Sequence, residues 1–338
     1  MVTRLRPKEL LGWLLSIVIS LVLVIYLLRQ IDLKDLVATF ERLHWPSVAT
    51  YLALALAGLT ARALRYFLLL AGRVGLGSLM IVTLVRNLFV DLLPARIGSL
   101  AYVYVVTQRC GVPLRDGLAS FLLAFVFDYL AIAPLLLLAL VVVGSGLSGW
   151  WVLLALGAVV TLGALFAFYA LAPTLRLAAA GCARVPKLQG LGAKAGETVE
   201  SLEEIRGRGV LGKVFWVSVA VRLFKFSSYY ALLHAVLVSH GFTLATLSPA
   251  RVFLGIAAAE FSATLPVHAI AGLGTYQVAW TLGFTQLGFT KELAILSGFA
   301  THLLSQLHDY SLGLAALLWV MRPGYRPQKR QPYSGGRT

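Results

Sequence analysis

Four cations recur in pairs inside apolar stretches of the 338-residue chain. Arg62 and Arg65 are three residues apart, and so are Arg222 and Lys225. On a helix each pair shares one face. A charge at the centre of a bilayer costs about 3 kcal/mol even on gentle insertion scales. Each cation therefore needs a partner, water, or a stem long enough to snorkel to the surface. Two roles are open to them. One is ion pairing with Asp91, Asp128, Glu260 and Asp309. The other is a basic lining for an anionic headgroup, since the planar donor fork of guanidinium matches phosphate. The two overlap, because an ion pair can hold a cation while a site is empty and yield to substrate.

Two stretches of broken backbone carry the remaining polar groups. In Glu260 to Gln277, Pro266 removes a backbone donor and Gly272 and Gly274 follow within eight residues. Glu260, His268, Tyr276 and Gln277 lie in the same run. At membrane depth, broken backbone is tolerated only where protein buries it or where it lines a wet cavity. An unpaired Glu260 would protonate there, so it calls for a cation. His268 is either a satisfied buried histidine or a ligand contact. Gly272 and Gly274 read as packing positions, and the charges beside them as ligand groups. The second stretch has Arg86, Asn87 and Asp91 before Pro94, then Arg96 and Gly98. Free backbone N–H groups beside Arg96 would make an anion site. Asp128 and Asp309 are read as salt-bridge partners or proton-coupling groups, with His302 and His308 close to Asp309 in sequence. No metal is expected, because these histidines and Asp309 do not form a convergent ligand set.

The elements that position these residues follow from composition. Hydrophobic residues make up 59% and charged residues 13%, where a soluble domain runs near ~25% charged. The chain reads as an all-α polytopic membrane protein, a single transmembrane domain over 1–321 with a basic tail at 322–338. The net charge of +15 reflects basic loops on the cytoplasmic side. It does not indicate nucleic acid, since no basic-aromatic surface lies outside the spans. Spanning helices are expected at about 10–29, 46–71, 115–143, 150–172, 210–238 and 291–321. The halves of 78–108 and the broken stretch 249–288 are read as two re-entrant hairpins, because each half of the first is too short for a hydrocarbon core of ~30 Å. An amphipathic connector covers 30–45, and 173–209, with six basic and four acidic residues, reads as a polar loop carrying a short surface helix. Both termini and the 173–209 loop then fall in the cytoplasm, and the uncharged loop 144–149 outside. Cys110 and Cys182 imply no disulfide framework.

Three blocks recur in order. Arg62 to Tyr66 matches Arg222 to Phe226, Leu92-Leu93-Pro94 matches Thr264-Leu265-Pro266, and Phe127-Asp128-Tyr129 matches His308-Asp309-Tyr310. With the expected sidedness the halves, about 46–143 and 210–321, are inverted. Inverted halves meeting through broken elements are a recurring transporter plan.

Arg62-x-x-Arg65, Asn87 through Leu93-Pro94-x-Arg96-x-Gly98, Asp128, Leu265-Pro266 and Gly272-x-Gly274 together resemble the transmembrane domain of bacterial lysylphosphatidylglycerol synthases. This flippase domain also occurs in the multiple peptide resistance factor and as a stand-alone membrane protein. The resemblance covers nearly all of 10–321. Where the family often has Glu after the first hairpin glycine, this chain has Ser99, and Gln277 stands near the second segment. The resemblance implies a flippase for a lipid with a phosphate-containing headgroup, aminoacyl-phosphatidylglycerol-like or polyprenyl-phosphate-linked. It implies a prokaryotic cytoplasmic membrane and no cofactor. Without the synthase's soluble aminoacyl-transferase domain, the chain is not expected to be an enzyme. A membrane-embedded lipid-modifying transferase and a scaffold for a glycosyltransferase stay as alternatives, and a homo-oligomer is left open.

Overall fold

The computed structural model describes residues 25, 29, 32–92, 98–144, 150–262, 274–322, 325 and 327. Most of the expected first span at 10–29 and most of the tail lie outside the described residues, as do both hairpin tips at 93–97 and 263–273. The described elements are helical: α1 Leu33–Glu41, α2 Trp45–Leu69, α3 Leu76–Leu92, α4 Ala101–Gln108, α5 Leu114–Val143, α6 Trp150–Ala183, α7 Gln189–Gly207, α8 Leu211–Leu237, α9 Pro249–Ser262, α10 Thr275–Gln286 and α11 Lys291–Met321.

Local chemistry sets several of these ends. Asp32 accepts from the Lys34 N–H at 2.9 Å to open α1, and Thr290 Oγ1 accepts from the Leu293 N–H at 3.3 Å to open α11. These are N-cap bonds that satisfy orphan donors. Pro46 sits in the first turn of α2, where its missing donor does no harm.

Trp45–Leu69, Leu114–Val143 and Gly157–Ala183 are each long and apolar enough to cross a membrane. Helices α8 and α11 have 27 and 31 residues, so length suffices, but Arg222 and Lys225 on one and His302, His308 and Asp309 on the other lower their hydropathy. Helix α4 has eight residues and covers only ~12 Å. Helices α9 and α10, with 14 and 12 residues, are also short.

The region 173–209 departs from expectation. Helix α6 continues through Pro173 to Ala183, and α7 occupies most of the rest. Ala and Leu, which dominate 170–180, are strong helix formers. The charges of α7 sit opposite buried Val199, Leu202 and Ile205, a three-residue spacing that makes the surface helix expected here amphipathic and longer than a short insert in a loop.

Helices α2 and α8 pack along each other at the centre. Gly58 permits the approach, since a Cβ there would lie 3.4 Å from Phe224 Cβ. Around this pair α3 packs on α11, and α5 on α9. One core cluster gathers Tyr66, Tyr102, Leu79 and Leu123. The other gathers Phe226, Leu233, Trp280 and Phe284. Tyr66 and Tyr102 stack at 3.9 Å, and Trp280 and Phe284 at 4.4 Å.

The polar ends separate. At one end Asp32, Asp35, Arg42, His240, Thr290 and Glu292 surround a hollow of about 530 Å³. At the other, Asp116 is held by Arg73 and accepts from Ser201 Oγ at 2.8 Å. Arg208 there donates to the Leu69 carbonyl. The connector 30–45 and the 239–248 loop thus share one end, and α7 lies at the opposite one.

Candidate functional site

A cavity of about 440 Å³ lies between α2, α3, α8 and α11, with Asp128 of α5 at its wall. Its polar groups come from helical repeats that face inward together. Arg62 of α2 and Arg86 and Asn87 of α3 line one side. Arg222 and Lys225, one turn apart on α8, line another. His308 and Asp309 of α11 complete it.

The cations are held unequally. Arg65 is buried, with 1% of its side chain exposed, and donates to Asp128 at 2.8 Å and to Ser218 Oγ at 3.3 Å. Arg222 donates through Nε to the Asp128 carbonyl at 3.1 Å. It also lies 3.5 Å from the carboxylates of both Asp128 and Glu260. Lys225 meets Glu260 at 2.6 Å. These pairs supply the charge compensation that a buried ion needs. Arg62 and Arg86 are different. Their Nη1 groups both donate to one neutral acceptor, Asn87 Oδ1, at 3.2 and 3.4 Å. Arg86 Nε is buried with no acceptor among the described residues. His308 Nδ1 lies 3.1 Å from Asp309 Oδ1, with the Tyr51 ring edge-on to the imidazole at 5.3 Å.

Among the described residues, five cations (Arg62, Arg65, Arg86, Arg222, Lys225) meet three carboxylates (Asp128, Glu260, Asp309), an excess of two positive charges. Two guanidinium groups converging on an amide oxygen place several donors where phosphate oxygens can accept them.

Most residues expected at the site from charge and spacing do converge here, with Arg65 and Glu260 bonded to groups in its wall. Others do not. Gln277 is 1% exposed and its Oε1 accepts from the Gly274 N–H at 2.8 Å. Gly274 has φ +101°, a conformation that glycine alone adopts with ease. Gln277 therefore tethers the entry to α10 and does not line the cavity. Tyr276 packs its ring on His302 at 4.8 Å, and both belong to the second core region, not to the cavity lining. Gly98 is close-packed, since a Cβ there would strike the Phe89 carbonyl. Pro94, Arg96, Pro266, His268 and Gly272 lie outside the described residues, as does the side chain of Asp91.

Tyr51, Thr83, Ser228 and Tyr229 also line the cavity and were not anticipated. A signal existed for three of them. Tyr51 is eleven residues, about three turns, before Arg62, and Ser228 and Tyr229 stand three and four after Lys225.

The family model for the lysylphosphatidylglycerol synthase TM region matches residues 13–313. No curated protein and no solved structure matches the chain.

Proposed function

The chain belongs to the lysylphosphatidylglycerol synthase TM-region family, and from that membership we propose that it is a lipid flippase for an anionic, phosphate-containing headgroup. The observation that carries this is the sharing of Asn87 Oδ1 by Arg62 and Arg86 at the edge of the cavity. A neutral oxygen between two guanidinium groups is a weak stand-in for an anion. A phosphate oxygen entering there replaces a neutral acceptor with an anionic one, so that ion pairing is added to the hydrogen bonds the two guanidinium groups already make. Arg222 and Lys225 start from ion pairs, so substrate competes with Asp128 and Glu260 for them. The charged groups are then compensated in both states.

The paired packing supports a repeat of two halves, which the expected sidedness makes inverted. Exchanging α2–α5 with α8–α11 turns the α3–α11 contact into the α9–α5 contact, and α2–α8 into itself. In this reading α3–α4 and α9–α10 are re-entrant hairpins entering from opposite faces, six helices cross the membrane, and one central site is reached from each face in turn. The membrane is the prokaryotic cytoplasmic membrane, with α7 and the basic tail inside. Transport without chemistry makes the protein a translocator and not an enzyme.

Headgroup accessibility in reconstituted vesicles tests this across phosphatidylglycerol, aminoacyl-phosphatidylglycerol and polyprenyl-phosphate lipids. Arg62→Ala and Arg222→Ala should each abolish transfer between leaflets while the amount of folded protein is unchanged. Normal transfer by both variants refutes the basic lining. A covalently altered headgroup after incubation with a donor would instead mark a lipid-modifying transferase.

A further inference from the structure

Around α5 and α9 from the cavity lies a second hollow, of about 290 Å³, bounded by α5, α6 and α9. Phe125, Val126 and Tyr129 of α5, Gly163 and Ala164 of α6 and Phe261 of α9 contribute to it, and none of its lining residues is charged. Two adjacencies tie it to the charged site. Tyr129 follows Asp128, and Phe261 follows Glu260. One residue turns a helix by about 100°. On both helices the hollow therefore lies about a quarter turn round from the carboxylate that holds the site's cations. Asp128 lines the cavity and Tyr129 the hollow, so α5 stands between them, and Asp128 and Glu260 pair with Arg222 and Lys225.

Depth and shape match as well. Tyr129 stands midway along Leu114–Val143, so the groove opens at the middle of the span. Small residues form its α6 side, and a Cβ built on Gly163 meets nothing within 4 Å. An apolar hollow at this depth suits hydrocarbon and offers nothing to a headgroup.

Building on the headgroup site proposed above, we infer that this groove holds a hydrocarbon chain of the same lipid whose phosphate occupies the cavity. The transported molecule then straddles the ion-paired wall between α5 and α9. Its phosphate competes for Arg222 and Lys225 on one side, while its chain packs against Tyr129, Phe261 and the Gly163 notch on the other. Tail and headgroup are thus recognised together, and the wall must open for the headgroup to change leaflet.

The test uses the full chain in phosphatidylcholine vesicles with a small fraction of phosphatidylglycerol carrying a diazirine at mid-chain. Photo-adducts should concentrate on Tyr129 and Phe261, about tenfold above Leu162 and Phe166, which are exposed on the same stretch of α6. Unlabelled phosphatidylglycerol should displace them and added phosphatidylcholine should not. Gly163→Trp enters the notch through a Cβ that meets nothing within 4 Å, places its indole in the groove, and should lower both adducts and transfer by about tenfold. Gly181→Trp, also open on α6, should change neither. Adducts spread evenly along α6, displacement by either lipid alike, or native transfer by Gly163→Trp at an unchanged unfolding temperature would overturn the groove. Failure of the groove alone leaves Arg62→Ala inactive and Gly163→Trp active. Failure of the headgroup site itself shows as normal transfer by Arg62→Ala.

Discussion

Asn87 is the residue on which the site's charge balance turns. Arg65, Arg222 and Lys225 have carboxylate partners, and removing one partner of a buried pair costs about 3–5 kcal/mol because it strands the other. Arg62 and Arg86 have only the Asn87 amide oxygen in common. Asn87→Asp is nearly isosteric and puts a negative charge where the substrate phosphate is proposed to sit. It should leave the protein folded, with an unfolding temperature in detergent at or above the native one. It should also slow headgroup transfer by about tenfold, the equivalent of ~1.4 kcal/mol of competition for the two guanidinium groups. Unchanged transfer would mean that the two arginines do not contact substrate.

At the scale of elements, the cavity depends on how closely α3 approaches α11. Gly313 sits at that contact. A Cβ there would lie 2.6 Å from Leu88 Cβ and 3.0 Å from the Leu84 carbonyl oxygen. Leu88 adjoins Asn87, and Gly313 lies one turn after Asp309. Gly313→Val should therefore push apart two helices that carry cavity residues. The expected loss is about 1–3 kcal/mol of stability, seen as a lower unfolding temperature in detergent, together with reduced transfer. Gly163→Ala, into open space, should leave stability unchanged or raise it by up to ~1 kcal/mol through helix propensity, and serves as the comparison. Equal unfolding temperatures for the two variants would show that α3 and α11 tolerate separation.

For the whole molecule, the two polar ends assign faces to the proposed topology. Asp35 and Ser239 are exposed near one end and Glu200 at the other. In a background with Cys110 and Cys182 replaced by Ser, Asp35→Cys and Ser239→Cys should react with a membrane-impermeant thiol reagent added to intact cells. Glu200→Cys should react only after the cells are opened. The reverse pattern would invert the orientation, and labelling of all three in intact cells would dismantle the topology.

Class and element order were legible in the residues. Long apolar runs admit only membrane helices, and charges placed within them at three-residue spacing require a shared polar interior, which the α2, α8 and α11 residues form. The bounds of most helices followed from hydropathy and from breaks at Pro and Gly. The α6–α7 region followed only in part: a short surface helix is expected within 173–209, but α6 runs on to Ala183 and α7 spans Gln189–Gly207, with Val199, Leu202 and Ile205 buried on one face. Which polar residues form the site was a tertiary matter. Gln277 and Tyr276 carry the same chemistry in sequence as their cavity-lining counterparts, yet one caps α10 and the other packs on His302. Pairing was tertiary too. Lys225 chose Glu260, 35 residues away, and Arg65 chose Asp128, 63 away. Local sequence sets the face of a helix on which a charge lies, and only the packing of α2, α5, α8 and α9 against one another sets which opposite charge it meets.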